Sequence, residues 1–350
     1  MTLSIASERS GRSWATVLSA LSSQVLTLLA TFLGLLLVTF LIGRVMPLDP
    51  VTAALGPDIS QEAYQSARLA MGLDDPLWQQ FLAYLGSVLH LDFGTSFFTR
   101  QPVLEDIARV FPATLELATA GIVVGVAIGV PLGILAALNR GTWIDGLVRV
   151  VTLVGYSAPV FWKGLILLIV FYAWLGWTGG PGRISVFYEG LVPQRTGLIL
   201  VDSAISGDWD VFRDALSHLA LPAISLGYGA AAYIGRMTRS FMLDQLSQEY
   251  VSVARVKGMS EARVVLRHVL PNCAVQLVTV IALSYGLLLE GAVLTETVFA
   301  WPGLGQYMTK SMFNADMNAV LGGTLVIGTV FILLNLLSDV LYRVLDPRTR

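Results

Sequence analysis

Apolar residues along this chain gather in six long runs, at about 25–42, 117–137, 150–175, 219–235, 273–294 and 317–341. Most approach the roughly 20 residues that a helix needs to cross a hydrocarbon core, so each predicts a membrane-spanning helix. The fourth is the weakest. Pro222 and several Gly and Ala dilute it, which predicts a place inside a bundle rather than against lipid. Between the first two runs lie residues 44–114, about 70 positions that are too many for a simple connection and contain aromatic and helix-like sequence. A small extracytoplasmic subdomain is expected there. A second long connection, at about 176–217, carries Trp177, Phe187, Tyr188 and Trp209 with Glu189, Asp202, Asp208, Asp210 and Asp214. It suits either a solvated acidic loop or a contact for a soluble partner.

Composition agrees with a place in the bilayer. Hydrophobic residues make up 55% of the 350 and charged residues 13%, with mean hydropathy +0.70; soluble domains carry about a quarter charged residues. The first run follows Arg9 and Arg12 as a secretory signal would. Its apolar length of about 18 exceeds the usual signal core of about 7 to 15, and no Ala-x-Ala site follows before Arg44, so it is expected to be retained. The lone Cys273 allows no intramolecular disulfide and no multi-cysteine metal site. His90, His218 and His268 are far apart in sequence, so no metal is expected. With the N-terminus placed inside, thirteen of the twenty-two Lys and Arg residues fall on the inner side: Arg9, Arg12, Arg140, Arg149, Arg236, Arg239, Arg255, Lys257, Arg263, Arg267, Arg343, Arg348 and Arg350. That bias predicts cytoplasmic N- and C-termini.

The most informative segment is 249–272, a charged, helix-competent stretch between two apolar runs. Residues 249–257 favour helix, Gly258 supplies a flexible or left-handed break, and a second short helix can restart at Ser260 with Glu261 in its first turn. Pro271 is expected to open a further element at the membrane boundary. The product is a bent helical knob with Arg255, Lys257, Arg263 and Arg267 around Val253, Val256 and Leu266. Charge alone suits any cytoplasmic loop. The spacing is more telling, since Gly258 stands four residues after Ala254 and twelve before the Leu270-Pro271 pair. This spacing resembles the ATPase-coupling loop of binding-protein-dependent ABC importer permeases. The family's motif opens Glu-Ala-Ala; the matching positions here are Ser252, Val253 and Ala254, with Glu249 close by.

The resemblance extends over nearly the whole chain. Gly72-Leu73-Asp74-Asp75-Pro76-Leu77-Trp78, Leu91-Asp92-Phe93-Gly94-Thr95-Ser96, Glu296-Thr297-Val298-Phe299, Trp301-Pro302-Gly303-Leu304-Gly305 and Leu345-Asp346-Pro347-Arg348 resemble the dipeptide, oligopeptide and nickel subgroup, in particular the first permease of the pair. The implied fold is all-α and polytopic, a type I ABC importer transmembrane domain with about six transmembrane helices. An N-terminal region, 1–113, would hold the first helix and the subdomain; a permease core, 114–350, would hold five helices and the coupling loop. The implied partners are a second homologous permease, two ATPase subunits and an extracytoplasmic solute-binding protein, all at the bacterial cytoplasmic membrane.

Gly121, Gly125, Gly129 and Gly133 recur every four residues in the second run and line one helical face, which lets another helix approach closely. Pro131 beside them predicts a kink. Lys163 and Glu290 are ionisable residues inside apolar runs. Counted at about 1.5 Å per residue from the inner side, they lie at about 22 Å and 25 Å, so they are candidate partners or pathway residues. Alternatively Lys163 snorkels to an interface.

No Gly-x-x-x-x-Gly-Lys-Ser/Thr phosphate loop occurs, so ATP and Mg are expected on separate ATPase subunits, with no cofactor bound by this chain. No catalytic set stands out, so an enzyme is a poor reading, and nothing calls for nucleic acid. The expected function is a permease forming half of a pathway for peptides or similar solutes. Nickel complexes, opines or glycosides are alternatives within the same architecture. An ion-driven secondary transporter is the rival of a different class, although no internal repeat is visible.

Overall fold

The computed structural model describes residues 14–45, 49–56 and 58–345. Arg9, Arg12 and the 346–350 terminus lie outside them. Helix α1 (Trp14–Val45) leads into three short helices, α2 (Pro50–Leu55), α3 (Gln61–Ala70) and α4 (Leu77–Leu89). Then follow α5 (Val103–Leu138), α6 (Trp143–Ser157), α7 (Val160–Leu167, continued by a π-helical stretch Leu168–Trp174), α8 (Ile199–Ser206) and α9 (Trp209–Leu246). The chain closes with α10 (Glu249–Val256), α11 (Glu261–Val264), α12 (Leu270–Val298), α13 (Leu304–Phe313) and α14 (Met317–Leu345). Among the described residues 5 helices are long and apolar enough to cross a membrane, or 6 when α6 and α7 count as one broken span.

The bundle is organised around α9. In its most apolar window 67% of residues are buried, against 17% in α1 and α14, so the least hydrophobic run is the innermost. Its neighbour α5 presents the four glycines to it. A Cβ on Gly125 would stand 2.9 Å from Ala230 Cβ, one on Gly129 2.7 Å from the Ala231 carbonyl oxygen, and one on Gly133 2.5 Å from the Gly235 carbonyl oxygen. Reciprocally, a Cβ on Gly227 would stand 2.5 Å from the Gly121 carbonyl oxygen. Without side chains between them the two backbones meet directly, and dispersion replaces the hydrophobic effect as the attractive force inside a bilayer. Leu117, Leu226, Ile234 and Leu288 complete the buried core around this seam.

Two boundaries differ from the hydropathy reading. Helix α5 starts at Val103, so the boundary expected between 113 and 114 falls within it; Glu105 and Asp106 fill its first turn, a favourable place for acids. The third run is two helices, not one continuous helix. They meet at 103° around Ala158-Pro159. Proline disfavours helical geometry in the residue before it, and Ala158 is extended, with φ −74° and ψ 129°.

The segment before α5 packs as a separate layer. Phe81, Tyr84 and Val88 of α4 meet Phe32 and Leu36 of α1 and Leu325 of α14, and the Tyr84 and Thr39 hydroxyls hydrogen-bond at 2.9 Å. Ser96 donates to Asp316 at 2.5 Å, joining this layer to the start of α14.

At that same end, the Glu296 to Gly305 stretch closes on itself. Glu296 is fully buried, accepting from Thr114 Oγ1 at 2.6 Å and from the Gln306 amide at 2.9 Å. Trp301, also buried, donates its indole N–H to the Ala113 carbonyl at 2.8 Å. A Cβ on Gly303 would fall 2.3 Å from the Glu296 carboxylate, which explains the glycine there. Glu296→Ala leaves two buried donors without an acceptor, so a loss of about 2–4 kcal/mol is expected. Thermal unfolding in detergent checks this: unchanged stability of the alanine variant would remove the knot's structural role, and Glu296→Gln should fall between.

Candidate functional site

The 249–272 knob occupies the opposite end of the bundle. Helix α10 ends in a pair of crossed bonds, Met259 N–H to Ala254 O at 3.3 Å and Gly258 N–H to Arg255 O at 2.9 Å. Gly258 has φ +77°, the left-handed conformation that closes a helix in this way and that glycine adopts without steric cost. The chain re-enters helix at Glu261, and Arg255 Nε and Nη2 donate to Glu261 at 2.8 and 3.2 Å, joining α10 to α11. Both partners are exposed, so the pair sets orientation more than stability.

The knob has two unlike faces. Val251, Ala254, Val264, Val265 and Val269 are buried against Ala137 of α5, Met242 of α9 and Cys273 and Leu277 of α12. On the other side Val256 is 89% exposed, Leu266 63% and Val253 52%, with Ser252, Lys257, Arg263 and Arg267 also exposed. An apolar tip with a basic rim, seated on three long helices, can fill a cleft and pass displacement to the bundle. Pro271 stands in the first turn of α12, as expected, where a missing backbone donor costs little. It lies within a helical course that runs from Glu261 to Val298, and the π-helical turn Val265–Val269 just before it accommodates the missing donor and the ring. Leu270 is half-buried and Pro271 exposed.

A buried ion pair braces the same end. Arg239 of α9 holds Asp145 of α6 through two bonds of 2.8 Å, Asp145 also accepts from the Gly141 amide at 3.1 Å, and Arg149 stands 3.7 Å away. A second one lies towards the other end, where Arg183 donates to Glu116 at 2.9 Å through Nε. Sequence inspection passed over both, because their partners are 94 and 67 positions apart.

Lys163 and Glu290 do not pair. The Lys163 ammonium donates to the Gly155 carbonyl at 3.0 Å and lies 5.4 Å from the centre of the Tyr228 ring. Glu290 faces elsewhere, into a groove with Leu35 of α1 and Phe331 and Leu334 of α14. The residue count to Lys163 crosses the 103° bend between α6 and α7, so it does not measure depth, and the two side chains face different elements.

This arrangement has known relatives. The sequence family described as binding-protein-dependent transport system inner membrane component matches residues 129–350, and its N-terminal companion matches residues 17–118. The chain belongs to this family. It is 42% identical over 335 residues to the di/tripeptide transport system permease protein DppB of Pseudomonas aeruginosa, covering 95% of this chain and 99% of the relative. The dipeptide transport system permease protein DppB of Escherichia coli is 43% identical over 323 residues, 91% of this chain and 95% of that one. The glutathione transport system permease protein GsiC of Salmonella paratyphi A is 34% identical over 334 residues, 95% of this chain and 99% of the relative. An inward-facing structure of the MetNI methionine ABC transporter aligns with TM-score 0.52 at 18% identity, over 69% of this chain and 96% of that chain. The permease therefore has the type I ABC importer transmembrane fold and is a multi-pass transport component, not an enzyme.

Proposed function

We propose that this permease forms half of a peptide pathway in the bacterial cytoplasmic membrane, with a second homologous permease, two ATPases and an extracytoplasmic binding protein. The observation that carries this is the knob: its underside is locked to α5, α9 and α12 while Val253, Val256 and Leu266 stand exposed at its tip. In this reading the tip seats in an ATPase cleft, ATP and Mg stay on that subunit, and closure of the two ATPases turns the helix bundles. Both chain termini then lie in the cytoplasm, on the knob side, in keeping with the Lys and Arg bias. Peptides are supported as cargo by the relatives' names. Nickel complexes, opines and glycosides are separated from peptides by measuring what the cognate binding protein holds.

Reconstitution tests the reading. The chain alone in vesicles is expected to give no uptake and no ATP hydrolysis. Together with the second permease, both ATPases and the loaded binding protein it is expected to give ATP-dependent uptake insensitive to ionophores. Uptake by the isolated chain, or uptake abolished by an ionophore with ATP intact, would overturn the proposal in favour of an ion-driven carrier. Cysteine pairs between residues 254–262 and the ATPase should crosslink in the active complex.

A further inference from the structure

Around the α6–α7 break, the permease gathers cations without carboxylates. Lys163, buried, has its ammonium on the Gly155 carbonyl and over the Tyr228 ring. Next to Gly155 in the chain, Tyr156 lies under the Arg236 guanidinium at 5.4 Å, and Tyr233 lies under the same guanidinium at 5.7 Å. Among the described residues no acid is within ion-pair distance of Lys163 or Arg236. The contrast is Arg239, three residues on from Arg236 and doubly bonded to Asp145: where the α9 cation is structural, α6 supplies it with a carboxylate.

Two further points say which way this cluster faces. Ser157 and Pro159 at the break are exposed, as are Tyr156 and Arg236. Broken backbone at membrane depth is tolerated only where protein covers it or water reaches it, and unpaired cations against lipid are costly. Tyrosine rings can hold a cation by their faces while leaving its N–H groups free for an anion. Tyr228 is itself fixed, since its hydroxyl donates to the Val151 carbonyl at 2.8 Å.

We infer that Lys163 and Arg236, on their tyrosine cradle, form a carboxylate-binding station on the wall of the translocation pathway, taking the anionic group of the transported solute. The inference rests on the permease reading above. The station attracts the anion electrostatically without a fixed partner to displace, and the rings keep each cation in place when no solute is bound.

The test uses the assembled transporter in nanodiscs, with Cys273 replaced by alanine and Gly229→Cys introduced. Gly229 is on the face of Tyr233 and Arg236, and an added Cβ there has nothing within 4 Å. A sulfonate-bearing and a trimethylammonium-bearing methanethiosulfonate are compared, each normalised to its rate with a free thiol. The anionic reagent is expected to react at least about fivefold faster, and Lys163→Met with Arg236→Gln to bring the ratio near one. An unreactive thiol, or a ratio that the double variant leaves alone, overturns the inference. In transport, Lys163→Met is expected to lower uptake about tenfold or more, with Lys163→Arg restoring most of it; equal loss in both would make Lys163 a packing element only. The labelling uses no peptide. A transporter that carried some other solute would leave the charge preference intact, while loss of that preference would leave peptide transport standing.

Discussion

Gly133→Ala is expected to destabilise the folded permease by about 2–3 kcal/mol, whereas Gly146→Ala is expected to be neutral or stabilising by up to about 1 kcal/mol. The same methyl group is added in each case. At Gly133 it would lie 2.5 Å from both the Gly235 carbonyl oxygen and Thr238 Cβ, so α5 and α9 must separate; at Gly146 it meets nothing within 4 Å. A backbone oxygen cannot rotate away as a side chain can, so the clash is relieved only by moving a whole helix, and the rest of the seam moves with it. Paired melting curves in detergent read the difference. Equal melting temperatures for the two variants would mean that the α5–α9 seam is looser than its geometry shows.

Gly258→Pro is expected to abolish uptake while the permease stays folded in the membrane. Proline holds φ near −65°, cannot reach the +77° of Gly258 and removes the N–H that donates to Arg255; the cost of about 3 kcal/mol corresponds to roughly a hundredfold loss of the docking-competent bend. Gly258→Ala is the milder control. It meets no atom within 4 Å and carries only the left-handed penalty of about 1–2 kcal/mol, so substantial uptake is expected to remain. Uptake and membrane abundance are measured together. Full uptake with proline at 258 would show that the bend plays no part in coupling.

What could be read from the sequence followed from local rules. The knob was legible because a glycine after a helical stretch and a Ser-Glu pair before the next are signals contained within a dozen residues. The glycine stripe was legible because its period matches one face of a helix. The α6–α7 break was not, since hydropathy averaged over 150–175 conceals a Ser157-Ala158-Pro159 interruption whose neighbours are all apolar. Lys163 and Glu290 show a second limit: counting residues gives depth only along an unbroken helix, which the 103° bend before Lys163 rules out, and it gives no direction around a helix. Glu116–Arg183 and Asp145–Arg239 escaped for a third reason, as each joins separate helices or loops that only the folded bundle brings together.

The helical course from Glu261 to Val298 is 38 residues long, about 57 Å at the usual rise. It carries the knob's second half at one end and Glu296, tied to Thr114 and Gln306, at the other. A rod anchored so firmly at its far end behaves as a lever with its fulcrum there. A tilt of about 5° about that fulcrum would sweep the knob sideways by roughly 5 Å, the length of one helical turn. Pull from a nucleotide-driven subunit would thus reach the opposite membrane face as leverage on the Glu296–Trp301 corner, without any intermediate loop having to refold.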